Sequence, residues 1–197
     1  MPERKSVLAS GARVLYDPQH LFRPLDRGVR RLVMIVREYD RDADFEGIRA
    51  CLIELQDFER RIDRRMPAGD EIANACISEA LSKCAECHGR MFVADQNGEI
   101  AGYATVLAKV RSGALDDGDL EYAYLADLVV RAAYRGRGIG RELIAKAETY
   151  ARDEGAKWLR VCVLAENEGA RRLYNTSGFS ELYVDFEKDL TARAGDA

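Results

Sequence analysis

Six residues, Arg135-Gly136-Arg137-Gly138-Ile139-Gly140, stand between an apolar run, Leu128-Val129-Val130, and a stretch with helical periodicity. Three glycines keep side chains off the main chain, so successive N–H groups can converge on an anion. A helix starting there turns the positive end of its dipole toward the same point, and Arg135, Arg137 and Arg141 add full charges. This is the chemistry of a pyrophosphate cradle. An ATP-type loop needs Lys-Ser/Thr after its last glycine, where this chain has Arg141-Glu142. A dinucleotide fingerprint needs G-x-G-x-x-G, and the chain reads G-x-G-x-G. A plain glycine-rich turn before a helix is the alternative for a bare hexapeptide, so the flanks must decide.

Downstream, residues 138–154 read as a helix with Ile139, Leu143, Ala147, Tyr150 and Ala151 on one face. Arg141, Glu142, Lys146, Glu148 and Arg152 lie opposite, and Gly155 stops the helix. Residues 158–164 are apolar apart from Arg160, as in a buried strand. Then comes Asn167-Glu168-Gly169-Ala170-Arg171-Arg172-Leu173-Tyr174-Asn175-Thr176-Ser177-Gly178-Phe179. Its Ala170, Leu173, Tyr174 and Ser177 share a face of a short helix closed by Gly178. Taken alone, Tyr174 is a packed aromatic. The two motifs together resemble the GNAT superfamily of N-acetyltransferases. That family carries an Arg/Gln-x-x-Gly-x-Gly/Ala loop followed by Asn-x-x-Ala-x-x-Leu-Tyr-x-x-x-Gly-Phe, and every fixed position is met here.

The resemblance implies acetyl-CoA as donor and a primary amine as acceptor. It places the pyrophosphate on the N–H groups around Arg135, Gly136, Arg137, Gly138, Ile139, Gly140 and Arg141. Leu128, Val129 and Val130 would bond the pantetheine arm as an added strand does, where their strand splays from residues 158–164. A main-chain N–H near Val129 would polarise the thioester carbonyl, and Asn167 would hold the arm from the other side. Tyr174 is the expected general acid toward the leaving thiolate. Asp127 is the first choice of general base and Glu121 the second, sharing a face by the two-residue period, with Tyr122 and Tyr124 opposite. Ala126 stands where several relatives have an acid. Asp127 as a partner for a backbone N–H is an equally open reading.

The remaining elements frame these residues. Residues 31–38 read as a first strand. Asp42 or Asp44 can cap a helix bearing Ile48, Cys51, Leu52, Leu55, Phe58 and Ile62 on one face. Met66-Pro67-Ala68-Gly69 breaks it, and a second helix spans about 70–87 with Ala73, Cys76, Ile77, Ala80, Leu81 and Cys84 inward. Asn97-Gly98 between apolar runs signals a hairpin. Residues 121–130 form a strand leading into the cradle, and 182–187 alternate as a last strand. The order β-α-α-β-β-β-α-β-α-β predicts an α/β (α+β) fold. The resemblance implies a mixed, twisted, mostly antiparallel sheet of about six to seven strands with helices on both faces. The expected organisation is an N-terminal extension over 1–30, the acetyltransferase domain over 31–190 and a tail over 191–197.

A length of 197 residues with 47% hydrophobic content suits a single core. The net charge of −4 argues against a nucleic-acid partner and favours a cationic substrate. Glu54, Asp57, Glu59, Asp70 and Asp116, on the first two helices and the 111–119 loop, are candidates to recognise a polyamine, an aminoglycoside or a lysine side chain. Solvated helix faces are their plainer reading. No apolar run reaches membrane length and no secretory h-region opens the chain, so the expected location is the cytoplasm, away from membranes. Relatives of this fold often pair, which makes a homodimer an expectation. Cys84-Ala85-Glu86-Cys87-His88 imitates a haem-attachment motif. Without an export signal or a second Cys/His pair it reads as buried small side chains, with neither haem nor metal expected. A CoA-binding regulatory or assembly module with little catalysis is the second functional reading, kept open by the lack of a clear base.

Overall fold

The computed structural model describes residues 13–14 (main chain only), 34–113 and 118–190. Asp116, the tail 191–197 and, apart from residues 13–14, the 1–30 extension lie outside the described residues. The chain runs β1 (Arg13–Val14), β2 (Met34–Glu38), α1 (Arg41–Ile62), α2 (Gly69–Glu86), β3 (Gly89–Gln96) and β4 (Glu99–Arg111). It continues with β5 (Glu121–Val130), a short 3-10 turn (Ala132–Tyr134), α3 (Ile139–Asp153), β6 (Leu159–Arg160) and α4 (Glu168–Thr176).

These elements form a mixed six-stranded sheet in the order β1-β5-β4-β3-β2, with β6 also on β5. β2, β3, β4 and β5 pair antiparallel, while β1 and β6 both run parallel to β5. The β3–β4 turn uses Asn97 and Gly98, at φ 57° and 87°, the left-handed pair that suits the twist of a two-residue hairpin. One face of the sheet packs on α1 and α2 through Ile48, Leu52, Leu55, Ile77, Tyr103 and Val129. The other packs on α3 and α4 through Leu125, Leu128, Val130, Leu143, Ala147 and Tyr174. Helices thus cover both faces, as the family resemblance implies.

Two local expectations change. The cap of α1 is Asp40, whose carboxylate accepts from the N–H groups of Asp42 and Ala43 at 2.9 and 3.3 Å. That leaves Asp44 to turn inward, 1% exposed, where it takes two bonds from the Arg37 guanidinium at 2.7 and 2.8 Å. Residues 182–187 alternate as a strand should, yet among the described residues they join no ladder. Leu182, Tyr183, Val184 and Phe186 are 61–94% exposed. Alternation fixes which side chains would share a face, but a strand also needs a partner main chain. Residues 161–164 likewise leave the ladder after Arg160.

Candidate functional site

The site forms along the outer edge of β5, where parallel pairing fails. β6 pairs there only through Leu159 with Ala123 and Arg160 with Tyr124, and then the two strands part. Further along, β1 occupies the same edge at Asp127 and Leu128. An extended backbone therefore fits this edge, as the pantetheine expectation requires. An arm lying along Leu128, Val129 and Val130 would meet β1 at Leu128.

At the end of β5 the chain enters the cradle. Gly136 and Gly138 have φ of 74° and 85°, in the left-handed region, with open space where a Cβ would stand. Gly138 also caps α3, with no side chain bonded to the first turn. The N–H groups of Gly136, Arg137, Gly138, Ile139 and Gly140 make no hydrogen bond to any described residue. Five successive amides at a helix N-terminus are the donor set a pyrophosphate needs.

The arginines behave less uniformly than their charge suggests. Arg135 turns back into the fold, its side chain 11% exposed, donating to the Val130 carbonyl at 2.9 Å and to Glu54 at 3.1 Å. Arg137 bonds the Ala133 carbonyl and lies over the Tyr134 ring, while Arg141 reaches Thr176 at 3.5 Å. Arg135 is thus a brace, whereas Arg137 and Arg141 are exposed at the rim. Glu54 completes the brace by accepting from the Ala132 N–H at 2.6 Å, which ties α1 to the turn before the cradle.

Behind the divergence sits Tyr174. It is 4% exposed, edge-on to Phe179 at 5.4 Å, and its hydroxyl has no hydrogen-bond partner among the described residues. Burial pushes its pKa well above the usual tyrosine value, and Tyr124, Cys162, Glu59 and Asp127 push it further the same way. Those four come from β5, the segment after β6, and α1. Asn167 is 2% exposed and caps α4, its side-chain oxygen accepting from the Ala170 N–H at 3.1 Å. Its first role here is to hold the helix that carries Tyr174.

The two carboxylates expected to share a face part company. The β4–β5 register slips between Thr105 and Val106, leaving Ala126 as an unmatched residue of β5. Such a bulge reverses the alternation beyond it. Asp127 then faces the α1–α2 side with Val129, and Tyr122 and Tyr124 lie on that side too, against Cys84, Cys87 and Leu107. Glu121 stays exposed at the strand's beginning, 3.5 Å from Arg111. Ala126 is 8% exposed among Leu107, Val110 and Tyr122, so an acid there would be buried in an apolar cluster.

Two acids, Asp44 expected as a possible cap and Glu59 as one acceptor candidate among several, sit on the apolar stripe of α1. Asp44, Ile48, Leu52, Leu55 and Glu59 follow one another at spacings of four, four, three and four, and all five are buried. A carboxylate at an inward position is the signal that distinguishes Glu59, 4% exposed, from the solvated acids around it. The Cys84-x-x-Cys87-His88 run carries no such signal. Burial pushes the Cys84 thiol up to about 12, the reverse of the thiolate that a metal or haem linkage requires.

A family model described as the acetyltransferase (GNAT) family matches residues 52–179. The chain belongs to the GNAT acetyltransferase family. Thialysine N-epsilon-acetyltransferase of Bos taurus is 42% identical over 59 residues, 30% of this GNAT chain and 35% of that protein. The chloroplastic GCN5-related N-acetyltransferase 4 of Arabidopsis thaliana is 32% identical over 91 residues, 44% of this chain and 31% of that one. The match thus spans about a third of each curated relative. Among solved structures, the aminoglycoside N-acetyltransferase AAC(6')-Iy in complex with CoA superposes at a TM-score of 0.61 with 18% identity, covering 82% of this chain and 97% of that one. Glucosamine-6-phosphate N-acetyltransferase from Arabidopsis thaliana gives 0.55 with 16% identity, covering 80% and 99%. At such identities these two speak for the GNAT fold alone. No helix among the described residues is long and apolar enough to cross a membrane.

Proposed function

We propose that the protein transfers an acetyl group from acetyl-CoA to a primary amine by direct attack in a ternary complex. One observation carries the reading: a buried tyrosine hydroxyl, without a partner among the described residues, stands at the divergence of β5 and β6, on the edge that leads to five amides that no described residue engages. The amides of 136–140 suit the pyrophosphate, and the β5 edge suits an extended pantetheine arm. The thioester then lies near Val129, whose family counterpart polarises the carbonyl. Kinship with N-acetyltransferases supports the same reaction class.

The proton inventory follows from the acceptor. An alkylammonium, with a pKa near ~10.4, must lose a proton before its nitrogen can attack the acyl carbon. The C–N bond forms, the tetrahedral centre collapses, and the C–S bond breaks with its electron pair on sulfur. Tyr174, kept protonated by its surroundings, gives its proton to that sulfur and regains one from the new N–H2⁺ centre. The proton first shed by the ammonium leaves to solvent. The test is release of CoA thiol from acetyl-CoA with spermidine, an aminoglycoside, free amino acids and a peptide. Turnover with any of these amines supports the reading. Acetyl-CoA binding without turnover on any of them would instead favour a regulatory or assembly module.

A further inference from the structure

The main chain of β5 can be approached from one side only. Both of its faces are covered, Leu128 packing among residues of α3 and α4 and Val129 among those of α1 and α2. Its inner edge is committed to β4, where Ala104 faces Leu128 and Tyr103 faces Val129. Gly102 shows how close that pairing is, since a Cβ there would collide with the Val129 carbonyl oxygen. Among the described residues, the outer edge is what remains for a guest, and two segments already use it. β6 pairs with Ala123 and Tyr124, and the Ala123 N–H donates to the Trp158 carbonyl at 2.8 Å. β1 pairs with Asp127 and Leu128, its Arg13 and Val14 running parallel to them.

A strand edge offers one row of N–H and C=O groups to a neighbour about 4.8 Å away. Two extended backbones therefore cannot pair with the same stretch of it. A pantetheine arm laid along Leu128, Val129 and Val130 needs the row that β1 already uses at Leu128. With two residues, β1 is shorter than the usual strand of about 3–10, so few main-chain bonds hold it against water. We propose that β1 is an intramolecular competitor of the donor: it closes the pantetheine edge in the free protein and leaves when acetyl-CoA binds. The inference rests on the acetyltransferase reading of that edge. The free protein is then divided between closed and open forms, and its apparent affinity for CoA is lowered by the fraction open. By reciprocity, a partner that holds β1 off the edge tightens donor binding by the same factor.

The test compares full-length wild type with the double variant Arg13→Pro and Val14→Pro, in which both residues lose the N–H that a ladder requires. Calorimetry with CoA alone needs no acceptor. Binding should be about tenfold tighter in the double variant, the factor expected if about one free molecule in ten is open. In wild type, hydrogen exchange at the main-chain amides of Arg13 and Val14 should speed up on saturation with CoA, while residues 128–130 stay protected. Equal or weaker CoA affinity in a folded double variant overturns the proposal, as does unchanged or slower exchange at residues 13–14. If the double variant does not fold, the exchange result on wild type decides. If neither protein binds CoA, the donor reading itself falls and the competitor with it. CoA binding beside an undisturbed β1 overturns the competitor alone.

Discussion

A phenol held out of water keeps its proton, and that dictates what Tyr174 can contribute. It cannot serve as a base at neutral pH; it can offer its O–H to a developing thiolate. Tyr174→Phe removes only the hydroxyl from a site where that hydroxyl has no partner among the described residues, so the fold should be unharmed. Thiol-release assays should show kcat down by about 100-fold with acetyl-CoA affinity unchanged. An unaltered kcat would leave Tyr174 as a packed aromatic. In the first turn of α1, Asp44 is held below the usual carboxylate range by its bonds to Arg37. Its contribution to stability is complete above its ordinary value of 3.8 and is lost as pH falls through the lowered one. Asp44→Ala should cost about 2–3 kcal/mol at neutral pH, less than a fully buried pair because Arg37 is a third exposed. In acid-titrated unfolding, the gap between variant and wild type should shrink as pH drops below that range.

The elements show how much of this was legible beforehand. The glycine pair of the cradle, the Asn97-Gly98 turn and the apolar face of α3 were readable because each is a local requirement of backbone conformation or helical period. The Ala126 bulge was not: a strand's pleat assigns faces only while the register holds, and the slip lies in pairing with β4. Nor could Arg135 be seen as a brace, since its partner Glu54 lies 81 residues away. That brace makes its own prediction. Glu54→Ala leaves the Ala132 N–H without its acceptor and the mostly buried Arg135 without its carboxylate, though still on the Val130 carbonyl, a loss of about 1–3 kcal/mol. Acetyl-CoA affinity, measured calorimetrically, should fall with it, whereas the amine KM should hardly move. The reverse pattern would mean that Glu54 touches the acceptor.

For the whole molecule, the open question of surface lies in the segment after α4. Arg171 with Glu181 and Arg65 with Glu187 tether it at both ends, and Arg160 lies 5.8 Å from the Tyr183 ring. Between the tethers, apolar side chains face solvent without a ladder, the condition in which strand edges associate. The protein should therefore sediment with concentration-dependent mass. Tyr183→Lys with Phe186→Lys should reduce that dependence while thermal unfolding stays within about 0.5 kcal/mol of wild type, as for surface changes. Equal sedimentation of the two proteins would place any association elsewhere.

The bulge at Ala126 has a bearing on how such a site can change over generations. Removing that one residue would restore strict alternation along β5 and still leave Asp127 on the face of Tyr122 and Tyr124, without altering any side chain. In this strand a single-codon deletion therefore keeps every side chain beyond the bulge on its present face. It would also spare the turn of residues 136–140, so a lineage could lose the bulge without rebuilding either end of the strand.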